Sequence, residues 1–578
     1  MDQFENLTGN FIYPGAARSY AQFHSRRSVV HSKNGIIACS QPLAAQAGLT
    51  VLKSGGNAMD AAVATAAALN VTEPCSTGIG GDMFCLYWEE KEKKLHAVNG
   101  SGRAPEKLTL QKCRELGIHG AAIPLDNINA TTVPGAAAGW VDVIEAHGSG
   151  MPMQKILDPA IKLAEDGFPV SELAAQQWAS SEELIKRASP NANEMLKKDG
   201  KAPRAGDIFR NPTLGRTFRE VAEKGKAGFY EGRVADEIVK LITELGGVMT
   251  HQDLRTHRST VDEPISMKFQ GVEVWECPPN GQGIVALQAI GIIESLVKEG
   301  KISLDKLQHN SVEYLHVVIE ALRLAFADGN EFIADPRVDK LPIKGMLDET
   351  YLADRAKSYN PKAANRTIKN GYPSNSSDTV YFSTSDAEGN ACSFIISNYA
   401  GFGTAAIPKG CGFTLQNRGS NFTLKEGHLN CIAPHKRPYH TIIPAAVTKD
   451  GELHSIYGVM GGFMQPQGHV QTLFNMYLFG HNPQEALDSP RICVQSLSAA
   501  ESLGIEIDEN QSHVAVEEGI SGDVITGLKK LGHHVDVVKG WQRGLFGRGQ
   551  IIRVHRQNGE IVYSAGSDPR ADGHAVPA

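Results

Sequence analysis

The sequence lacks the features that mark membrane proteins and nucleic-acid-binding proteins. Its 578 residues contain no run of about 18 apolar residues, the length that a membrane span needs. Lysines and arginines are scattered without an aromatic-and-basic patch, and the formal net charge is −7. We therefore expect a globular protein with neither a membrane partner nor a nucleic-acid partner.

Cysteine is scarce, and its spacing shows no pairing. Nine cysteines over this length, an odd number without any CxxC, are typical of reduced and mostly buried thiols. The sequence has no His/Cys cluster, and His309 and His316 bracket Glu313 two helical turns apart, unlike the one-turn pair of HExxH. We expect neither a metal site nor a cofactor.

The first residues also lack a secretory signal. Residues 1–6 carry neither a basic n-region nor an apolar h-region. Together with the reduced thiols expected from the cysteine pattern, this predicts a cytoplasmic location.

The chain exceeds one ordinary domain, but its composition suits one large layered core. Residues 35–39 predict a buried strand, and residues 42–53 predict a helix. Residues 58–69 are almost all small, which lets a helix pack closely against a sheet because nothing bulky separates the backbones. These patterns predict helices layered on a sheet.

The central feature of the sequence is the junction between a polar loop and a strand. Residues 355–378 lack apolar periodicity, as a functional or mobile loop does. An alternating segment then begins at Thr379, and a turn at residues 386–390 leads into a return strand. A hairpin centred on Glu388 places Thr379 opposite Ser397, with one hydroxyl facing the other.

A threonine at this junction suits an N-terminal nucleophile. Its hydroxyl can attack the Asp378 carbonyl, cut the chain and leave Thr379 with a free α-amine, whose reference pKa is about 7.7–8.0. That amine can then act as the base for the Thr379 hydroxyl. The alternative is a threonine that merely opens a strand after a loop.

Motifs further along the chain favour the nucleophile. Seven of them occur in order: GGNAMDAA (55–62), GIGG (78–81), VPG (133–135), DTVYFS (378–383), FG (402–403), GG (461–462) and SDPR (567–570). Together they resemble the γ-glutamyltransferase (glutathione hydrolase) family of N-terminal nucleophile hydrolases, from about residue 35 to the C-terminus. The resemblance is closest to the cytoplasmic γ-glutamyltransferase-like and oxamate amidohydrolase-like branch.

The resemblance implies a fold and a processing scheme. The fold is the α+β four-layer αββα sandwich of N-terminal nucleophile hydrolases. Cleavage between Asp378 and Thr379 divides the chain into a large fragment, residues 1–378, and a small fragment, residues 379–578, and both form one fold. The acyl group of a small amide is then carried on Thr379 as an ester and passed to water or to an acceptor amine.

Two positions depart from those of γ-glutamyl-cleaving relatives. An arginine that holds the substrate α-carboxylate in relatives is replaced here by Ser101, and Arg103 lies closer to the following Ala-Pro pair. An acid that pairs with the substrate ammonium is replaced by Asn421, whose amide brings no charge. Either the substrate lacks the free α-amino acid head, or Arg103 and Arg418 rebuild the pocket.

A second hairpin indicates where an oxyanion hole would lie. Centred between residues 450 and 451, it places His440 opposite Gly461. Gly461 and Gly462 end its second strand just before a helix, where two N–H groups can point at one oxygen. A single donor of an oxyanion hole is typically worth about 2.7–4 kcal/mol.

The resemblance adds further candidates for contacts with substrate. His440 and Thr441 stand where the family has a Ser-Ser pair that contacts the substrate. Asn398 and Tyr399 follow Ser397 directly and are the other candidates.

These observations predict a self-processing amidohydrolase or acyltransferase that acts on a γ-glutamyl or related amide, such as glutathione, through an acyl-Thr379 intermediate. A non-glutamyl amidase, oxamate- or acylase-like, is the alternative within the family. An unprocessed pseudoenzyme that serves as a binding scaffold is the alternative of another class. Thr379, Ser397 and the Gly461-Gly462 pair argue against the scaffold, which would need none of them. The sequence leaves the oligomeric state open.

Overall fold

The computed structural model describes residues 27–368, 378–495 and 512–578. Most of its strands belong to two large sheets. In chain order the strands are β1 Val30–Ser32, β2 Gly35–Cys39, β3 Asp82–Glu89, β4 Lys94–Gly100, β5 Phe168–Pro169, β6 Ile208–Phe209, β7 Thr260–Asp262, β8 Ile265–Phe269, β9 Val272–Glu276, β10 Asp378–Asp386, β11 Ala391–Tyr399, β12 Ala445–Lys449, β13 Glu452–Met460, β14 Ile492–Val494, β15 His513–Glu517, β16 His534–Val538, β17 Arg548–Gln557, β18 Glu560–Ser567 and β19 His574–Pro577.

The helices lie mainly between the strands of the first half and after β13. In chain order they are α1 Pro42–Lys53, α2 Ala58–Thr72, α3 Leu110–Glu115, α4 Ala136–His147, α5 Met153–Asp166, α6 Glu172–Ala188, α7 Pro212–Lys224, α8 Ala227–Tyr230, α9 Gly232–Glu244, α10 His251–Thr256, α11 Gly283–Lys298, α12 Val312–Phe332, α13 Ile343–Met346, α14 Glu349–Ala356, α15 Met464–Tyr477, α16 Pro483–Asp488 and α17 Gly522–Lys530.

Each large sheet mixes strands from both sides of residue 378. Sheet 1 has the order β19-β2-β10-β11-β3-β4-β7, and sheet 2 has the order β1-β18-β17-β13-β12-β9-β8. The strand that opens with the 378–379 junction, β10, lies inside sheet 1 between β2 and β11. The segments before and after this junction are therefore parts of one fold.

Three hydrophobic clusters divide the molecule into four layers. One lies between the sheets and contains Ile395 of sheet 1 and Ile456 of sheet 2. A second packs α1 and α2 against the other face of sheet 1, where Phe394 and Ile396 contribute. A third packs α11, α12 and α15 against the outer face of sheet 2. Neighbouring residues of β11 thus enter different clusters because side chains alternate across a strand, and the predicted αββα sandwich is confirmed.

Helix α2 shows why its small residues were needed. Every residue of the helix is buried, and its N-terminus is closed by a capping box between Asn57 and Asp60. A Cβ atom on Gly48 of α1 would lie 2.2 Å from Thr65 Oγ1 of α2, so the two helices approach as closely as their backbones allow. Thr384 Oγ1 of β10 also donates to the Ala58 carbonyl of α2 at 2.7 Å, so the predicted close packing of this helix against a sheet is confirmed.

The state of the cysteines and the character of the helices match what the sequence predicted. All nine cysteines are free, and eight of them are buried, as their spacing predicted. Among the residues that the structure describes, no helix has the length and apolar character that a bilayer crossing requires.

Candidate active site

The β10–β11 hairpin turns about Glu388 as predicted, since Val380 lies opposite Ile396 and the pairing continues toward the turn in the same register. The ladder shifts by one residue at the very start of β10. Thr379 Oγ1 nevertheless lies 2.9 Å from Ser397 Oγ, with both side chains buried. The predicted contact between the two hydroxyls is confirmed.

The Ser397 hydroxyl is held by more than Thr379. Its oxygen accepts a hydrogen bond from the Tyr399 backbone N–H at 2.8 Å, and Arg418 Nη2 lies 3.5 Å away. Either hydroxyl can donate in the contact between Ser397 and Thr379. Ser397 can therefore position the Thr379 hydroxyl oxygen.

We expect Ser397→Ala to slow self-processing or amide turnover while the fold stays intact. A hydrogen bond between neutral groups is worth about 0.5–1.5 kcal/mol, which corresponds to a roughly two- to tenfold change in rate. Ser393→Ala is the matched control, because Ser393 is a buried serine on the same face of β11 that contacts Tyr381 instead. Fragment formation on denaturing gels and steady-state kinetics measure both variants. Rates of Ser397→Ala equal to those of the wild type would contradict the positioning role.

Arg418 brings a buried positive charge to this pair. It opens a short 3-10 helix, Arg418–Asn421, and its guanidinium lies 4.3 Å from the centroid of the Tyr399 ring. Nη1 donates to Thr441 Oγ1 at 2.7 Å. Burial lowers the pKa of Arg418 to about 10, and Asp82 partly offsets this, so the group stays charged at neutral pH. Among the described residues, Arg418 forms no ion pair and its Nε has no hydrogen-bond partner.

Tyr399 adopts a backbone conformation that supports this stacking. Its φ is +79°, a left-handed value that is rare for a bulky residue. The conformation falls where β11 ends, two residues after Ser397. Strained residues of this kind concentrate at functional sites.

A single glutamine connects this cluster to the two glycines. Gln282 Nε2 donates to the Thr441 carbonyl at 2.6 Å and to the Gly462 carbonyl at 2.8 Å. A hydrogen-bonded path therefore runs from Thr379 through Ser397, Arg418, Thr441 and Gln282 to Gly462. The sequence gave no sign of this role, because nothing local shows which distant carbonyls the Gln282 amide will meet.

Gly461 and Gly462 lie between β13 and α15, as predicted. Their φ values are +133° and +57°, which a residue with a side chain adopts only under strain. Their carbonyl oxygens accept from the N–H groups of Met464 and Gln465, which starts the helix. In the described part of the chain neither glycine N–H has a backbone acceptor. This is the state that an oxyanion hole requires before substrate arrives.

The predicted pairing of His440 with Gly461 is wrong. Near the turn the hairpin has the expected register, but a bulge between Val447 and Thr448 moves the pairing by one residue. The ladder also begins only at β12, and His440 instead forms an isolated bridge with Gly281. An extra residue in one strand shifts every pair beyond it, and the turn gave no sign of the bulge.

His440 instead contacts Asp82, which the sequence analysis did not single out. His440 Nε2 donates to Asp82 Oδ2 at 3.0 Å, while Nδ1 accepts from the Ile442 N–H at 3.3 Å. Burial and the nearby Arg418 lower the pKa of His440 to about 3, so the ring is neutral. Asp82 Oδ1 also accepts from the N–H groups of Gly102 and Gly135.

Asp82 thereby ties several segments to the strand that carries Ser397. It begins β3 and lies directly opposite Ser397 in sheet 1. The signal in the sequence was its position at the end of the GIGG motif, where a turn enters a strand. Its carboxylate is also the charge that partly offsets the effect of burial on Arg418.

Ser101 and Asn421, the two positions that differ from γ-glutamyl-cleaving relatives, are both buried. Each side chain donates a hydrogen bond to another part of the protein. Ser101 Oγ donates to Asn99 Oδ1 at 2.7 Å. Asn421 Nδ2 donates to the Tyr439 carbonyl at 3.0 Å, whereas Asn421 Oδ1 has no hydrogen-bond partner in the described structure. Neither side chain supplies a charge to the site.

The structure does not bring two of the candidates into the cluster. Arg103 donates to the Arg258 carbonyl and lines a cavity of about 420 Å³ with His257. Asn398 points to the opposite face of β11 from Ser397 and lies against the turn at residues 78–81. Alternation along β11 explains the second case, and Arg103 is displaced because the preceding Gly102 N–H is fixed on Asp82.

The chain is similar to characterised enzymes over nearly its whole length. The family model described as gamma-glutamyltranspeptidase matches residues 44–578. The glutathione hydrolase-like YwrD proenzyme of Bacillus subtilis (strain 168) is 35% identical over 554 residues, which cover 95% of this chain and 99% of that protein. The oxamate amidohydrolase proenzyme of Klebsiella pneumoniae subsp. pneumoniae is 32% identical, covering 95% of this chain and 100% of that protein.

A solved structure gives the same result for the fold. The cephalosporin acylase from Bacillus halodurans matches with a TM-score of 0.87 at 39% identity, and the match covers 98% of this chain and 99% of that one. The two proteins are therefore similar in three-dimensional structure as well as in sequence. The chain therefore belongs to the gamma-glutamyltranspeptidase family of N-terminal nucleophile hydrolases.

Proposed function

We propose that the protein is a self-processing amidohydrolase with Thr379 as its nucleophile, and that its preferred acyl donors carry a carboxylate but no α-ammonium group. The observation that carries this proposal is the buried Arg418 guanidinium, which has no carboxylate partner among the described residues and lies next to the Thr379–Ser397 pair.

An unpaired buried cation favours an anionic ligand. Removing a charged group from water is costly unless an opposite charge and hydrogen bonds replace the lost hydration. Thr441 satisfies one N–H group of Arg418, and the Tyr399 ring covers one face of the guanidinium. A substrate carboxylate would supply the missing charge through charge-assisted hydrogen bonds.

The same pocket offers little to an ammonium group. Asn421 stands where relatives that grip a γ-glutamyl group have an acid, and its NH₂ group is committed to the Tyr439 carbonyl. Ser101 is turned toward Asn99. A donor with both an α-ammonium and an α-carboxylate therefore meets one matching charge at most.

The geometry supports a two-stage reaction. In processing, the Thr379 hydroxyl attacks the Asp378 carbonyl carbon, and the C–N bond breaks as the ester forms, which frees the Thr379 α-amine. Water then hydrolyses the ester, which leaves a carboxylate on Asp378 and returns the hydroxyl to Thr379. In turnover, that amine takes the hydroxyl proton as Thr379 attacks the substrate amide. The N–H groups of Gly461 and Gly462 stabilise the oxyanion, the leaving amine takes up the proton, and water hydrolyses the acyl ester.

The names of relatives agree with both candidate substrate classes. Oxamate, named in the Klebsiella relative, is a small amide joined directly to a carboxylate. Glutathione, named in the Bacillus relative, is a γ-glutamyl donor. Asn421 Oδ1, which has no hydrogen-bond partner in the described structure, can accept a hydrogen bond from an ammonium group and favours this second candidate.

For either substrate we propose a cytoplasmic location, supported by nine free thiols of which eight are buried.

We expect the wild type to be weak on glutathione and γ-glutamyl anilides and more active on oxamate and simple acyl amides. A missing charge-assisted hydrogen bond costs about 1.5–3 kcal/mol, or roughly tenfold to a hundredfold in kcat/KM. Asn421→Asp should therefore improve γ-glutamyl turnover, because it restores a negative charge. Steady-state kinetics on all four substrates measure this.

Asn421→Ser is the control, since it removes the amide without adding a charge. It should not gain γ-glutamyl activity. Efficient glutathione turnover by the wild type, made worse by Asn421→Asp, would overturn the proposed substrate preference and restore the γ-glutamyl activity of the family.

A further inference from the structure

Three possible metal ligands meet on the surface at the far end of β3. Glu89 is the last residue of β3, His96 lies on β4, and His147 is the last residue of α4. One carboxylate oxygen and one nitrogen from each ring all lie within 4.8 Å of one another, and each residue is partly buried. The sequence predicted no metal site because these residues are too far apart along the chain to form a ligand motif.

Glu89 and His96 lie close enough to each other to share a cation. Glu89 Oε2 lies 3.3 Å from His96 Nε2. That nitrogen is shielded from solvent and has no hydrogen-bond partner in the described structure. A lone pair on Nε2 facing a carboxylate is repulsive, so a proton or a metal ion between them is favoured. His147 adds a third donor, which a proton does not need and a metal ion does.

The distances suit a small transition-metal ion. Zinc binds imidazole nitrogen and carboxylate oxygen at about 2.0–2.2 Å, which places two tetrahedral ligands about 3.3 Å apart. The Glu89–His96 pair already has that spacing. His147 offers a nitrogen within 4.8 Å of both atoms, and water can complete the coordination.

The surroundings favour a positive charge at this point. His147 ends a helix of 12 residues, and the C-terminal end of a helix carries a partial negative charge. The ring of Tyr87 packs against His147 with centroids 5.0 Å apart and restricts its position. His147 is thus a positioned nitrogen ligand.

We propose that Glu89, His96 and His147 form a binding site for a divalent transition-metal ion of the zinc class. Two imidazoles and one carboxylate are donors that zinc accepts readily. The bound ion would join β3, β4 and α4 across the edge where α4 packs on sheet 1. Its function is to stabilise this layer.

This site is separate from the candidate active site. Asp82 and Glu89 lie at opposite ends of β3, and seven residue steps along a strand span about 23 Å. Removal of the metal should therefore leave self-processing unchanged. Failure of this proposal would say nothing about Thr379, and failure of the Thr379 mechanism would say nothing about the metal.

Isothermal titration of the full-length, tag-free and EDTA-treated protein with ZnCl₂ tests the site. We expect one zinc ion per chain and a higher Tm with zinc than without it. His96→Ala and His147→Ala should each weaken binding by more than the roughly tenfold typical of losing an outer-sphere partner. The rise in Tm should disappear in both variants. Normal fragment formation in each variant shows that it has folded.

His251→Ala is the matched control. His251 also pairs with a carboxylate, Asp236 at 2.9 Å, but belongs to no three-ligand group among the described residues. It should bind zinc like the wild type. No zinc binding by the wild type would overturn the proposal. Binding that survives both His96→Ala and His147→Ala would overturn it as well.

Discussion

The Thr379→Ala variant is expected to remain a single chain of 62.3 kDa, whereas we expect the wild type to cleave itself between Asp378 and Thr379. Alanine has no hydroxyl to attack the Asp378 carbonyl, so the peptide cannot become an ester. Without cleavage there is no free α-amine at residue 379, and the base for amide turnover is lost as well. Processing and amidase activity should therefore both disappear.

The wild-type products have defined sizes. Dividing the chain mass in proportion to 378 and 200 residues gives fragments of about 41 and about 22 kDa. N-terminal sequencing of the small fragment should begin at Thr379. Thr379→Ser keeps a hydroxyl and should still cleave. A wild-type protein that stays intact after prolonged incubation would contradict the mechanism, as would cleavage of Thr379→Ala at this bond.

The fold predicts that the fragments stay together after cleavage. Strand β10, whose second residue would be the new N-terminus, pairs with β2 of the large fragment and β11 of the small fragment. Strand β11 in turn pairs with β3 of the large fragment. Separation would expose the interiors of both sheets. Both fragments should therefore co-elute under native conditions and separate only after denaturation.

The sequence predicted those parts of the site that depend on short-range geometry. The contact between Thr379 and Ser397 follows from one turn and the period of two along each strand, and the structure preserves both. The glycine pair between strand and helix was predicted for the same reason. A tight hairpin with a buried face has few alternative registers.

The remaining parts depend on contacts that only the folded chain creates. A bulge beyond Val447 moved His440 away from Gly461 and left it on Asp82. Gln282 lies far along the chain from the carbonyls that it joins. Arg103 has the charge that a substrate-binding arginine needs, but its guanidinium donates to the Arg258 carbonyl and does not reach the site. Residue identity predicts chemistry, but long-range packing decides whether a side chain reaches the site.

The second large effect concerns Arg418. This arginine lies beside Ser397, whereas Arg103, the other candidate for holding a substrate carboxylate, lies outside the cluster. Arg418→Met should sharply reduce kcat/KM for oxamate but reduce it much less for oxamide, which has the same size and no charge. Truncating one partner of a buried, hydrogen-bonded charge pair costs about 2–5 kcal/mol, or roughly thirtyfold to several thousandfold in kcat/KM. The ratio of kcat/KM for oxamate to kcat/KM for oxamide reports recognition of the carboxylate alone. The support that Arg418 gives to Ser397 and Thr441 affects both substrates and cancels in this ratio.

Two further variants complete this experiment. Arg418→Lys keeps the charge but loses the planar pair of donors, so it should recover part of the preference for oxamate. Arg103→Met is the matched control and should leave the ratio unchanged, because Arg103 lies outside the cluster. Formation of both fragments shows that each variant has folded. A ratio that falls in Arg103→Met but not in Arg418→Met would place the carboxylate in the other cavity and overturn the assignment of Arg418.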